Sequence, residues 1–328
     1  MIKAGFFLFV VSLFYSCSSQ KDSKFRIEKN DSERSTFCDK TEAGILFFSS
    51  DNGENWVNAG SGLPQTDKIG LDGIAVSNQK LGLATKQSGV YEYNFKTNFW
   101  ENIPTEKQII EANPGALAFL ENDVFVGTQF AGVFYTNNLG KSWTNCNSGL
   151  TNLTIRRFFE FNQQLYVCTN DGFYCFNEAS ENWQLEFGQR FLQVNGATSF
   201  DGSFYLATNQ GIYRQQTDKT WINMTPDLSV HHISSDKNRI YAMSYNELLV
   251  SSNYGLDWES QQNGLPENLY TFNVLNHHEI LFAGQWDGVY RKTKHDKKWM
   301  KSNNGLPSNL AVLNLKAFHH ILVVSISE

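Results

Sequence analysis

Charge is sparse in this chain of 328 residues: Asp, Glu, Lys and Arg together make up 18%. The 27 Lys and Arg against 33 Asp and Glu leave a net charge of −6. There is thus no global positive field to hold nucleic acid or anionic lipid by releasing counterions, and no nucleic-acid partner is expected. Proline is rare as well, at six residues, which argues against an array rich in linkers. The five cysteines include no Cys-x-x-Cys, which removes zinc-ribbon and thioredoxin-type chemistry. No metal and no cofactor is expected. Helical periodicity is missing, and no apolar run reaches the roughly 20 residues that span a bilayer.

Aromatic residues, by contrast, are abundant at 14%, with 26 Phe, 13 Tyr and 8 Trp, a balance that favours strands over surface helices. At roughly 150 residues per domain the length alone suggests about two domains. Met1-Ile2-Lys3 places one positive charge before the apolar run Ala4 to Ser16, so residues 1–16 read as an export signal. The end of that run, Leu13-Phe14-Tyr15-Ser16-Cys17, resembles a bacterial lipobox, with Cys17 as the lipidated first residue of the mature protein. An ordinary signal peptide or an uncleaved anchor is the alternative. Residues 17–40 are polar with alternating charge and too few apolar side chains to fold, as expected of a disordered tether. Cys168 and Cys175 flank Thr169-Asn170-Asp171-Gly172. A two-residue turn there would set them opposite each other for a disulfide; the alternative is two small buried apolar residues.

Internal repetition is the strongest signal. Trp56, Trp100, Trp143, Trp183, Trp221, Trp258 and Trp299 recur at intervals of roughly 40 residues. Ahead of each lies a β-rich start such as Gly132-Val133-Phe134-Tyr135. Ahead of that comes a short apolar run ending in small residues, as in Val124-Phe125-Val126-Gly127-Thr128. Four short strands per unit with turn residues between them match a propeller blade. The segment after Trp299 supplies only two strands, and the segment from Gly44 to Trp56 supplies the missing half. The expected fold is therefore all-β: a seven-bladed β-propeller of four-stranded blades over residues 41–328, closed by strand sharing between the N- and C-terminal segments. One ring absorbs this length, and no second domain remains.

Ser49-Ser50-Asp51-Asn52-Gly53-Glu54-Asn55-Trp56 resembles the Asp box (BNR repeat), Ser/Thr-x-Asp-x-Gly-x-x-Trp, in full. A second copy keeps Thr136, Gly140 and Trp143 and a third keeps Ser251, Gly255 and Trp258, with Asn138 and Asn253 where Asp is expected. Asp or Asn can accept backbone hydrogen bonds in such a turn, Gly takes positive φ, and Trp packs beneath the hairpin against the neighbouring blade. These roles are structural. The resemblance covers residues 41–328 and is to the Asp-box propellers: sialidases, xyloglucan-active glycosidases, sortilin-type receptors, and photosystem II assembly and stability factors. It implies the fold and leaves function open, because enzymes, receptors and assembly factors share the scaffold. It also implies that the box lies between third and fourth strands, away from the ligand face. Gly62-Leu63-Pro64, Gly264-Leu265-Pro266 and Gly305-Leu306-Pro307, with Gly149-Leu150-Thr151 as a degenerate copy, lead from the Trp strand into the next blade.

A sialidase would need an arginine triad for the substrate carboxylate. Phe25-Arg26-Ile27-Glu28 approaches the Phe/Tyr-Arg-Ile-Pro motif but lacks the Pro and falls in the tether. Arg214 and Arg291 occupy one slot in two units, which reads as repeat surface positions and not as a converging triad. His277-His278 and His319-His320 sit at equivalent turns where other units carry Glu121-Asn122 or Asn162-Gln163, so polar turn residues are expected there. Propeller ligands gather on the face made by the loops between second and third strands and by the inter-blade connections. The rim candidates are Phe130, Tyr245, Trp286 and Asp287 on loops, with Glu111 and Arg190 on connections. Trp286 alone stands outside the Trp repeat. It either contacts a sugar or protein partner or packs on the adjacent blade. The resulting expectation is a non-enzymatic, monomeric lipoprotein, exported and lipid-anchored to a bacterial membrane, periplasmic or cell-surface, whose propeller binds a protein or glycan at the cell envelope. The alternative is a glycoside hydrolase, sialidase-like or other, on the same scaffold.

Overall fold

The computed structural model describes residues 45–308 and 310–327, all within the compact unit Thr41–Glu328. The expected signal (1–16), the lipidation site Cys17 and the tether (17–40) lie outside the described residues. Among the described residues there are twenty-eight strands and one helix, arranged as five sheets of four strands and one of eight. Four sheets take consecutive strands in order, over residues 155–188, 194–223, 230–260 and 273–301. The eight-stranded sheet is two such meanders, 69–103 and 114–145, joined by a single parallel bridge between Asp72 and Ala116. A Cβ on Gly70 would lie 2.4 Å from the Cα of Gly115, so the missing side chains let the two backbones meet. The remaining sheet is discontinuous in sequence: Leu46–Ser49 and Val57–Asn58 join Ala311–Phe318 and Ile321–Ser327, with Phe47 opposite Val324.

The small residues that end the second strands have a local role. Thr85, Thr128, Thr169, Thr208 and Ser244 donate their hydroxyls at 2.7–3.0 Å to the carbonyl oxygens of Gly89, Gly132, Gly172, Gly211 and Glu247 across the next turn. A buried hydroxyl satisfied in this way closes a tight turn. In this turn Cys168 and Cys175 form no disulfide, one of the two alternatives that their spacing left open. Asn170-Asp171 forms the turn, and the register sets Cys168 opposite Phe173 and Cys175 opposite Tyr166. Each cysteine faces an aromatic residue and not the other cysteine, and both thiols are free. The connection to Pro114 holds the helix Lys107–Glu111, too short to show a period in the sequence.

The repeated tryptophans join one sheet to the next. The indole Nε1–H donates to a carbonyl at the end of the preceding sheet: Trp56 to Ser302, Trp100 to Ala59, Trp143 to Pro104, Trp183 to Cys146 and Trp299 to Gln261, all at 2.7–2.9 Å. At four of these seams a Gly-Leu-Pro glycine or its variant backs onto the same tryptophan. A Cβ on Gly62, Gly149, Gly264 or Gly305 would lie 2.0–2.5 Å from the carbonyl oxygen of Trp100, Trp183, Trp299 or Trp56. The turn is thus a socket for the next sheet. Both seams of the 194–223 sheet depart from this plan. Trp258 donates to its own Gly255 at 3.1 Å, and the Nε1 of Trp221 is buried without a partner.

The three box turns share one geometry between third and fourth strands. Gly53, Gly140 and Gly255 all have φ of 79°, and their amides donate to Ser49, Thr136 and Ser251 at 2.9–3.1 Å. The amides of Asn55, Ser142 and Asp257 donate to Oδ1 of Asp51, Asn138 and Asn253 at 2.9–3.0 Å. An amide oxygen serves this purpose as well as a carboxylate does, which is why Asn can replace Asp in two copies. Hydrogen bonds from the side chain and backbone of Asn55 lower the Asp51 pKa to about 2.

Candidate functional site: a cation-lined cavity above the first strands

Most first strands open with a β-bulge. Ile155 pairs with Thr169 and Arg157 with Cys168, which leaves Arg156 unpaired. Gly115, Asn195, His231 and Leu313 are skipped in the same way. A bulge interrupts the alternation of a strand and re-aims a side chain. Gly115, Arg156, Asn195 and His231 all line one cavity of about 400 Å³. Its wall adds amides such as Asn170, Gln193 and Asn209, the aromatic residues Tyr245, Tyr270 and Phe272, and the cations Lys86 and Arg157. No Asp or Glu is among the described residues that line it.

The two adjacent arginines are held differently. Arg157 is nearly buried: its Nε donates to Asn195 O at 3.1 Å, and its Nη1 reaches Leu71 O at 3.1 Å and Asp72 Oδ1 at 3.4 Å. This ion pair runs from Ile155–Phe161 to Ile69–Val76, past the intervening 114–145 sheet. Asp72 also receives Lys316 Nζ at 3.3 Å and the Phe158 amide at 3.0 Å, so one carboxylate serves two cations. Arg156 has only neutral partners, donating from Nε to Asn170 Oδ1 and from Nη2 to Gln193 Oε1. Burial pushes its pKa down, because the charge is partly stripped of water without a counter-ion.

His231 is neutral in this setting. Its Nε2 lies 2.7 Å from Thr271 O, so that nitrogen is the donor. Burial lowers its pKa to about 4. The neighbouring His232 is also held well below its ordinary value, by burial and by the charges of Arg157 and Lys316. The Tyr270 ring lies 4.5 Å from His231, 5.8 Å from Tyr245 and 5.4 Å from Trp286, and Trp286 also packs 4.9 Å from Phe272.

Of the six rim candidates, Tyr245 lines the cavity. Trp286 stands behind Tyr270 and Phe272 with 41% of its surface exposed. Phe130 is exposed next to the lining residue Gln129. Asp287 is engaged elsewhere: its carboxylate accepts from Lys301 at 2.7 Å and from the Tyr290 hydroxyl at 3.0 Å, within its own sheet. Glu111 pairs with Lys107 on the exposed helix at 3.0 Å. Arg190 lies over the Phe191 ring at 4.6 Å. Sequence reasoning missed Arg156, Arg157, Asp72 and Lys86. The available signal was Arg156-Arg157 inside a strand whose bulge counterparts, Gly115, Asn195, His231 and Leu313, include no Arg or Lys. Among the described residues no group of three or more His, Cys, Asp or Glu is placed to hold a metal ion.

No known family model matches the chain, and no curated protein is similar to it in sequence. Solved structures are similar in shape. The extracellular domain of the candidate hybrid two-component system BT3049 from B. thetaiotaomicron matches at 15% identity and a TM-score of 0.60, over 81% of this chain and 40% of that one. YCF48 bound to a D1 peptide matches at 11% identity and a TM-score of 0.62, over 80% of this chain and 95% of that one. PorZ, a surface component of the type-IX secretion system of Porphyromonas gingivalis, matches at 12% identity and a TM-score of 0.55, over 76% of this chain and 34% of that one. The chain thus spans less than half of the two-component and PorZ structures. At these identities the likeness speaks to fold alone, and the fold is an all-β, propeller-like arrangement of four-stranded sheets.

Proposed function

We propose that residues 41–328 form a closed seven-bladed Asp-box propeller that binds a protein partner at the bacterial cell envelope, exported by residues 1–16 and anchored through Cys17 at the head of the 17–40 tether. Counting the eight-stranded sheet as two blades gives the number seven. Closure is supported by contacts between first strands that run from Ile69–Val76 through each sheet in turn to Ala311–Phe318 and back to Ile69–Val76. The shared geometry of the three box turns supports the Asp-box reading.

The observation that carries the function is the composition of the cavity: cations, amides and aromatic rings without a carboxylate. A glycoside hydrolase calls for two carboxylates roughly 5 to 10 Å apart, and this wall offers none. Cations and rings on a concave face suit recognition of a partner. YCF48 with its D1 peptide is a propeller-like neighbour that holds a polypeptide, and extracellular and surface neighbours accord with an exported chain.

The test is affinity capture from native membranes with the full chain, alongside Tyr245→Ala at the cavity and Val57→Ser on an outer edge. A protein retained by wild type and Val57→Ser but lost with Tyr245→Ala supports the reading. Cleavage of a fluorogenic glycoside, abolished by one carboxylate-to-amide change, overturns it in favour of a hydrolase.

A further inference from the structure

Resting on the reading of this face as the binding face, we propose that the cavity takes a carboxylate, held by Arg156 and carried beside an aromatic or apolar group that packs on Tyr245 and Tyr270. The first argument is charge. The chain as a whole is acidic, with a net charge of −6, yet the wall carries Lys86, Arg156 and Arg157 and no Asp or Glu. Arg157 already has Asp72 beneath it. The Arg156 side chain has no anion among its partners, and burial lowers the pKa of His231, which lines the same cavity.

The second argument is construction. Arg156 is the unpaired residue of a bulge, and amides from two different turns fix its guanidinium, Asn170 at Nε and Gln193 at Nη2. Those two bonds use two of the five N–H donors of an arginine. The three N–H donors that remain on Nη1 and Nη2 can hold a carboxylate, and a charge-assisted bond of this kind is stronger than a neutral hydrogen bond. A ligand anion would supply the counter-charge that the fold withholds.

The third argument is the wall opposite. Tyr245, more than half exposed, and Tyr270, backed by Trp286, form an apolar surface beside the charged floor. The cavity volume of about 400 Å³ suits a group the size of one or two residues or a small aromatic acid. Lys86, exposed at the mouth, draws an anion in without being fixed to it. The same chemistry could be presented by a free acid or by an acidic side chain of a partner.

The experiment is titration calorimetry on the full chain with four probes: N-acetylphenylalanine and its amide, and the blocked dipeptides Phe-Asp and Phe-Asn. Within each pair the acid should bind about tenfold or more tightly than the amide. Preference for the free acid identifies a small-molecule source, and preference for Phe-Asp identifies a side chain of a partner. Arg156→Gln should erase the difference between acid and amide, whereas Arg156→Lys should keep part of it; melting curves verify that both variants are folded. Lys86→Gln should weaken the acid by a smaller factor. Equal binding of acid and amide, no binding of any probe, or an unchanged preference in folded Arg156→Gln overturns the proposal. A protein partner that is still captured in that case leaves the partner-binding reading standing.

Discussion

The 155–188 and 194–223 sheets share one strand plan and differ in how each meets the sheet before it. Trp183 is buried, its indole donates to Cys146, and Gly149 presses against its carbonyl oxygen. Trp221 has neither support. It lies instead against Phe187 at 5.0 Å and Phe173 at 6.3 Å, in a cluster with Phe159, Phe161, Tyr166, Phe204 and Tyr213. One seam is fixed by directed hydrogen bonds and a backbone socket, and the other by rings, Phe187 stacked on Trp221 and Phe173 edge to face with it. A repeated residue therefore does not imply a repeated interaction. Aromatic pairs contribute about 0.5–1.5 kcal/mol each beyond their buried area, so a ring cluster can replace the bond while tolerating small changes of angle.

The largest effect that would break this comparison is at the tryptophans themselves. Trp183→Ala should cost about 3–5 kcal/mol in urea unfolding, and half-buried Trp221→Ala clearly less, with its neighbouring rings closing the gap. Equal losses would mean that the indole bond and socket contribute nothing.

Next come the glycines. Gly149→Ala places a methyl group against the Trp183 carbonyl at φ of 89° and should cost more than about 2 kcal/mol. Gly202→Ala, also at positive φ but with nothing within 4 Å, should show only the backbone penalty of about 1 kcal/mol. Thermal melts of the two variants compare a socket with an open turn.

The smallest effect is electrostatic. The folded pKa of Asp51, about 2, lies below its ordinary 3.8. Its contribution is therefore full above the ordinary value and lost as pH falls through 4 towards 2. Asp51→Asn, which copies Asn138 and Asn253, should flatten melting temperature against pH in that window, whereas Asn253→Asp should steepen it. Because Asp51 is close to solvent, both changes should be slight.

The sheet plan was legible because its signals are local. The tryptophan interval, the hydroxyl residue closing most second strands and the glycines at the turns all act within one unit or on the next. The Gly-Leu-Pro series was visible as a lead into the next blade, although its partner, the following tryptophan, was not. The cavity was much less legible. Arg156, Asn195 and His231 reach it through bulges, and a one-residue slip in pairing leaves no mark on composition or period. Asp72 and Arg157 meet past an intervening sheet, so neither predicts the other in sequence. Tyr245 was named because an exposed loop aromatic is conspicuous by itself, and it lies on the cavity wall. The Asp287 carboxylate is occupied by Lys301 and Tyr290, contacts that appear only with the fold.

The pairing of Leu46–Ser49 with Ile321–Ser327 sets an order in time. A chain made from one end presents Phe47 and Phe48 long before Val323 and Val324 exist to cover them. Until then the early strand is an unpaired edge with apolar side chains, and bringing its partner back closes a very long loop. A chain made in that order can complete this sheet only once its later strands exist, and an edge left unpaired until then is open to pairing with the wrong strand.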